Sequence, residues 1–445
     1  LLEDLDVARH AVEFAIAAGA DQAEATYTVA DRFSTEARDR EIAKLERAVA
    51  RGLTLRVYVR GAKASLGTSD FSADGLREFV RETVDAARFV ESDPHGGLPE
   101  PVAATDDDAA AALEMYCDDV RARPDEDKID DALELERIAR TIDSRIVNSS
   151  GSRVADTTVA LALVNSCGFA GAYRQSQASL GMSPIASDAG SLRTASYGAA
   201  SRGYAMLEPV ASVARVAANR AVEMIGARKP QTMRCPVIFE RDVASHVLGD
   251  IFAAASAANV AVGNSFLAER IGSRIGSELV TIVDDGRLPR GLGSSPFDAE
   301  GVPTRRTVVV EAGTLRTFLY DTYYARRLGA RSTGNASGGG VGPNNFYLAP
   351  GTESLAELIA ATPRGILVLD TIGFSTESVT GTYSRGARGF AIEGGELAYP
   401  IDEFTIAGNL TEMLAAVDRV GGDLVFDQPI VAPSFRVAEM TVSGI

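Results

Sequence analysis

Three histidines, His10, His95 and His246, and three cysteines, Cys117, Cys167 and Cys235, are all the imidazoles and thiols in 445 residues. Any metal site or Ser-His-Asp triad built on an imidazole must draw on them. His246 has the most reactive neighbours. Asp242, His246 and Asp250 recur at i, i+4 and i+8 on a helix that opens near Glu240, beside an apolar face of Val243, Val247, Leu248, Ile251 and Ala255. Two carboxylates and an imidazole on one stripe have the donors to hold a divalent cation or to move protons. The simpler reading is a polar face turned to water, as amphipathic helices have. His10 falls on a surface-helix pattern and His95 in a Pro/Gly-rich stretch. Cys167 and Cys235 sit within strand patterns and read as buried small hydrophobes.

A second polar feature is the segment Ser332 to Asn345, with five glycines and three asparagines. It reads as too polar for a core and as a loop whose backbone and amides can meet a ligand. The nucleotide and hydrolase signatures are missing: there is no GxxxxGK[ST], no strand-GxGxxG-helix and no GxSxG. With 61 acids against 44 bases, a net charge of −17 and no basic stripe, direct nucleic-acid binding is disfavoured. No apolar run approaches the ~18 residues of a membrane span. Glu3, Asp4 and Asp6 stand where a secretory signal would be basic, and the cysteines lack CxxC spacing, so the expected compartment is the cytoplasm.

The elements that must position these groups read as α+β: an N-terminal mixed helix/sheet region followed by a C-terminal domain dominated by antiparallel sheet. A helix carrying Leu5, Ala8, Val12 and Ala15 ends at Gly19; strand patterns cover 23–37 and 52–68, with a turn at Arg60-Gly61; Ser72 caps a helix to about Val90. Glu91 to Ala112, including the acidic run Asp106 to Asp108, reads as a linker, and a helix resumes near Ile129. Residues 143–206 read as an antiparallel meander, and a helix follows with Val210, Val213, Ala214, Ala217 and Ala221 on its apolar face. Hairpins are expected where strands Thr307 to Val310 and Leu315 to Leu319 flank Glu311 to Thr314, and where Gly389 to Ile392 and Leu397 to Ile401 flank Glu393 to Glu396. The expected domains are 1–228, with subregions of about 1–110 and 113–228, and 229–445.

Several long blocks in the C-terminal half resemble the TldD/PmbA family: Ser332 to Asn335, Asn344 to Leu348 with Pro350-Gly351, Ile392 to Leu410, and Pro433 to Gly444. The resemblance implies a cytosolic metallopeptidase system acting on peptides or unfolded proteins, historically linked to DNA gyrase, in which a TldD subunit pairs with a PmbA/TldE subunit. It implies that TldD carries zinc on HExxxH plus a C-terminal cysteine, with the glutamate as base. Laid on this chain, that motif falls on Glu240, Arg241 and Ser245, so both histidines and the base are replaced. His246 stands one residue late, about 100° round the helix, and no cysteine follows Cys235. Arginine cannot accept a proton from water near neutral pH.

The expectation is therefore a PmbA/TldE-like subunit with no catalytic residue, metal or cofactor of its own. Zinc is expected in a TldD-like partner, and a homodimer is the alternative assembly. Gly334, Asn335, Asn344 and Asn345 are the candidate peptide-binding residues, and edge-strand hydrogen bonding is the expected mode. Two alternatives stand beside this reading: an independent hydrolase around Asp242, His246 and Asp250, and a non-enzymatic interaction protein acting on gyrase or another target.

Overall fold

A computed structural model describes residues 2–101, 110–188, 190–373 and 376–444; the run Asp106 to Asp108 lies outside the described residues. The first half is organised by one antiparallel sheet. Its strands are β1 (Gln22–Arg38), β2 (Glu41–Val59), β3 (Ala62–Thr68), β4 (Ile146–Asn165), β5 (Ala170–Asp188), β6 (Ser191–Thr194) and β7 (Tyr197–Ser201). They run in the order β3-β2-β1-β4-β5-β6, with β7 also on β5. The subregions 1–110 and 113–228 thus share a sheet, because β1 pairs with β2 on one side and β4 on the other.

Alternation along the strands assigns the two faces. Leu53, Leu55 and Val57 pack beneath α1 (Leu2–Ala17) and α2 (Ala73–Arg88), whose Ala8, Ala11, Leu76 and Val80 face them. Ser72 starts α2 by accepting the Gly75 N–H, one of the orphan donors every helix start leaves open. On the same face Val154 and Leu180 lie under α3 (Asp125–Ile142) and α4 (Val210–Glu223). The opposite face carries Leu163, which packs with Phe169 and Phe297 from the second half.

That second half opens with β8 (Met233–Phe239) and α5 (Arg241–Ala255). A small sheet follows, containing β9 (Ile282–Asp285), β10 (Arg306–Glu311) and β11 (Phe346–Leu348). Then come β12 (Arg364–Ile372), β13 (Thr382–Glu393), β14 (Glu396–Asn409), β15 (Ile430–Val431) and β16 (Phe435–Ser443). The pairings β12-β8-β16-β14-β13 close on themselves because β13 also pairs with β12, which makes a barrel. Closure removes the exposed edges of those strands. The turn between β13 and β14 is Gly394-Gly395, both at positive φ, as a two-residue hairpin turn needs. The apolar face of α5 packs with Val237, Val368, Ile406 and Val437 in the largest core cluster.

Three expectations are corrected. The strand read from residue 52 begins at Glu41; residues 41–51 are exposed on both faces, so they carry no buried alternation to read. The strand expected over Leu315 to Leu319 is only Thr314–Leu315. The segment Ser332 to Asn345 is not a solvent loop: Thr333, Asn335, Asn344 and Asn345 are buried, because buried aspartates supply the partners that make their burial affordable.

Candidate functional site

β8 ends at Phe239 and Glu240 turns the chain into α5. Its backbone is extended, and its carboxylate caps the helix by accepting the Asp242 N–H at 3.0 Å. Arg220, from α4, donates to Glu240 Oε1 at 3.0 Å and to Asp242 Oδ2 at 2.7 Å. Its guanidinium also stands 4.8 Å from the centre of the Tyr197 ring. Arg241 donates to the Tyr197 hydroxyl at 2.9 Å, and that hydroxyl donates to Glu208 at 2.8 Å. Ser245 Oγ donates to the Arg241 carbonyl at 2.8 Å and accepts the Ala432 N–H at 3.0 Å. Burial, then the charge of Asp242, raises the Glu240 carboxyl above the usual range, with Arg220 opposing.

The network borders a cavity of about 640 Å³ between α5 and the helix-free face of the first sheet. Asp242, His246, Asp427 and Gln428 line one side, and Ser150, Ser179, Gly181, Ser183, Ser196 and Gly198 line the other. Asp427 is raised by burial and pulled back by Arg241. β7 forms part of this wall; it pairs with β5 on one side and with no strand on the other among the described residues. Small side chains, hydroxyls and an unpaired strand edge offer hydrogen bonds to an extended chain without selecting its side chains.

The Asp242, His246, Asp250 stripe is divided between partners. Asp242 belongs to Arg220, whereas Asp250 accepts two bonds from Arg385, at 3.0 and 2.8 Å, and one from Thr376 at 3.0 Å. Burial raises the Asp250 carboxyl and Arg385 opposes it. His246 is exposed beside the cavity. Among the described residues no group of three or more His, Cys, Asp or Glu is arranged to hold a metal ion. Cys235 is buried and its thiol is pushed up to about 11 by that burial, which keeps it out of the nucleophilic thiolate form.

The four glycine and asparagine candidates lie elsewhere, around β9. Asp284 accepts from Asn335 Nδ2 at 2.7 Å, from Asn344 Nδ2 at 2.8 Å and from the Asn344 N–H at 2.9 Å. Asn345 donates to the Asp285 carbonyl at 2.6 Å and to Ser294 Oγ at 2.8 Å, and accepts the Gly293 N–H at 2.9 Å. Gly334 sits at φ +76, with the Pro303 carbonyl 2.7 Å from where a Cβ would stand. Asn335 and Asn344 border a separate cavity of about 250 Å³. Burial raises Asp284 to about 6, and the hydrogen bonds from Asn335 and Asn344 oppose the shift. These amides hold the loop to the small sheet.

Sequence reasoning passed over Tyr197, Arg220 and Asp427. Arg220 left a signal, a cation between Ala217, Ala218 and Ala221 on an otherwise apolar helix face. Tyr197 and Asp427 left none, since nothing local places them beside α5.

An α+β chain with this domain order matches models of metallopeptidase domains along most of its length: PmbA/TldA metallopeptidase domain 1 at residues 23–87, the central domain at 118–225 and the C-terminal domain at 232–444. It is 34% identical to a metalloprotease PmbA homolog of Haemophilus influenzae over 98% of this chain and 94% of that one. It is 31% identical to metalloprotease PmbA of Escherichia coli O157:H7 over 95% and 92%. A crystal structure from Bacteroides thetaiotaomicron, described as a candidate modulator of DNA gyrase, superposes with a TM-score of 0.92 at 26% identity, covering 100% and 99% of the two chains. The chain belongs to the PmbA/TldD family.

Proposed function

We propose that this chain is the PmbA/TldE-like, metal-free subunit of a cytoplasmic peptidase, and that it completes a cleft for extended or unfolded peptide with a zinc-bearing TldD-like partner. The observation that carries this reading is the occupation of the motif positions. Glu240 is spent on the helix cap and Arg220, Arg241 on Tyr197, and Ser245 on two backbone groups. These residues do not fit a zinc ion: two guanidinium groups, Arg220 and Arg241, stand where a dication would bring like charge, and neither presents a lone pair. The independent-hydrolase reading is less well supported, because its two carboxylates are each held by a different arginine.

The cavity beside the network suits a peptide, and the unpaired edge of β7 supplies main-chain groups for strand addition. The acidic balance points to protein rather than DNA as the contact in any gyrase connection. The test is co-purification with a TldD-like partner and metal analysis of each chain after dialysis. Zinc is expected in the partner alone. Near-stoichiometric zinc retained by this chain by itself, and lost in His246→Ala, overturns the reading.

A further inference from the structure

The helix-bearing face of the first sheet is covered at its two ends and open between them. α1 and α2 lie over Leu53, Leu55 and Val57, and α3 and α4 over Val154 and Leu180. The gap holds a cavity of about 590 Å³, on the other side of the sheet from the cleft beside α5. One register row crosses it: Arg51 of β2 faces Val29 of β1, Val29 faces Ala160 of β4, and Ala160 faces Arg174 of β5. Facing residues share a side of the sheet, so two arginines stand at the ends of an apolar pair, about 14 Å apart at three strand spacings. Arg121, from the short helix Asp119–Ala122, is a third cation on the wall. Tyr27 and Phe71 add aromatic surface, their rings edge to face at 5.3 Å.

Arg51, Arg121 and Arg174 have no ion pair and no side-chain hydrogen bond among the described residues. The carboxylates at the cavity do not neutralise them. Asp31 is held at 3.1 Å by Arg47, which also takes Asp125 at 2.9 Å, and Glu3 and Asp4, at the start of α1, lie beyond ion-pairing distance of all three. We propose that this cavity binds a small organic anion with a flat apolar body, a carboxylate or a phosphate ester. Its charge lies between Arg51 and Arg174 with Arg121 beside it, and its body rests on Val29 and Ala160 against Tyr27. A guanidinium fork matches the oxygens of either acid group, and these three forks have only water to give up. The apolar floor and the aromatic wall supply the burial that a bare inorganic anion cannot use.

This inference is independent of the peptide-cleft reading, since the two cavities lie on opposite faces of the sheet. Titration calorimetry of the full chain with phenyl phosphate, phenylacetate and inorganic phosphate tests it. At least one of the two aromatic anions is expected to bind at least ~10-fold more tightly than inorganic phosphate, and the tighter of the two tells which acid group the site takes. Arg51→Ala and Arg174→Ala, both at exposed positions, are each expected to weaken that binding at least ~10-fold while leaving the thermal midpoint of the fold in place. Arg32→Ala, an exposed arginine on the other face of β1, is expected to leave it unchanged. Failure of both aromatic anions to bind, binding no tighter than that of inorganic phosphate, or binding indifferent to both Arg51→Ala and Arg174→Ala overturns the proposal.

Discussion

The start of α5 and the loop around Asp284 are both dense in polar side chains, and both stood out in the sequence, yet they have opposite characters. Around Asp284 the asparagine amides serve one buried carboxylate and nearby backbone groups, and they fasten the loop to the small sheet. At α5 a chain of charges runs from Arg220 through Glu240 and Asp242, with Arg241 reaching Tyr197, beside an open cavity. The first arrangement is polarity used for folding. The second is polarity beside an open cavity, with Glu240, Arg241 and Ser245 each held by hydrogen-bond partners of its own.

If that contrast is right, its largest consequence is in stability. Asp284→Ala leaves two amides and a backbone N–H without their acceptor in a fully buried place, and is expected to cost about 3–5 kcal/mol in a denaturant titration run at pH ~4, where the contribution of this carboxyl is largest. Arg220→Met, which leaves Glu240 buried with only the more distant Arg241 at 3.9 Å, is expected to cost less, about 2–3 kcal/mol. An equal or reversed order would erase the distinction between the two regions.

The titration of Asp284 sharpens the comparison further. Its folded-state carboxyl, raised from 3.8 to about 6, binds its proton more tightly than the unfolded chain does. The stability it contributes is therefore full below the unfolded value, declines as pH rises from about 3.8 to about 6, and is flat above. The gap between wild type and Asp284→Ala is expected to narrow by roughly 1.4 kcal/mol per pH unit across that window, read from denaturation midpoints at several pH values. The smallest effect belongs to the α5 side: His246→Ala removes an exposed ring and is expected to change stability by less than ~0.5 kcal/mol.

Much of this was legible in the sequence. The α5 helix and its apolar face, the Ser72 cap and the Gly394-Gly395 turn follow from spacing and residue type, which act locally; the departures at Glu240, Arg241 and Ser245 came from the family resemblance instead. What was not legible depends on distant partners. The polarity of Ser332 to Asn345 looked like exposure because Asp284 and Asp285, about fifty residues earlier, supply the acceptors that permit burial. Residues 41–51 gave no strand signal because burial on one face is what writes alternation into a strand, and here both faces meet solvent. Tyr197 joins α5 only through the packing of the first sheet against the second half.

The central claim, a cleft completed by a chain without zinc chemistry of its own, is tested most directly by the rate at which a zinc-bearing TldD-like subunit cleaves an unfolded peptide. Wild-type chain is expected to raise that rate, and Ser196→Trp, which fills the cavity beside β7, to abolish the increase while still binding the partner. Cleavage that is the same with this chain, without it, and with the variant would contradict the account.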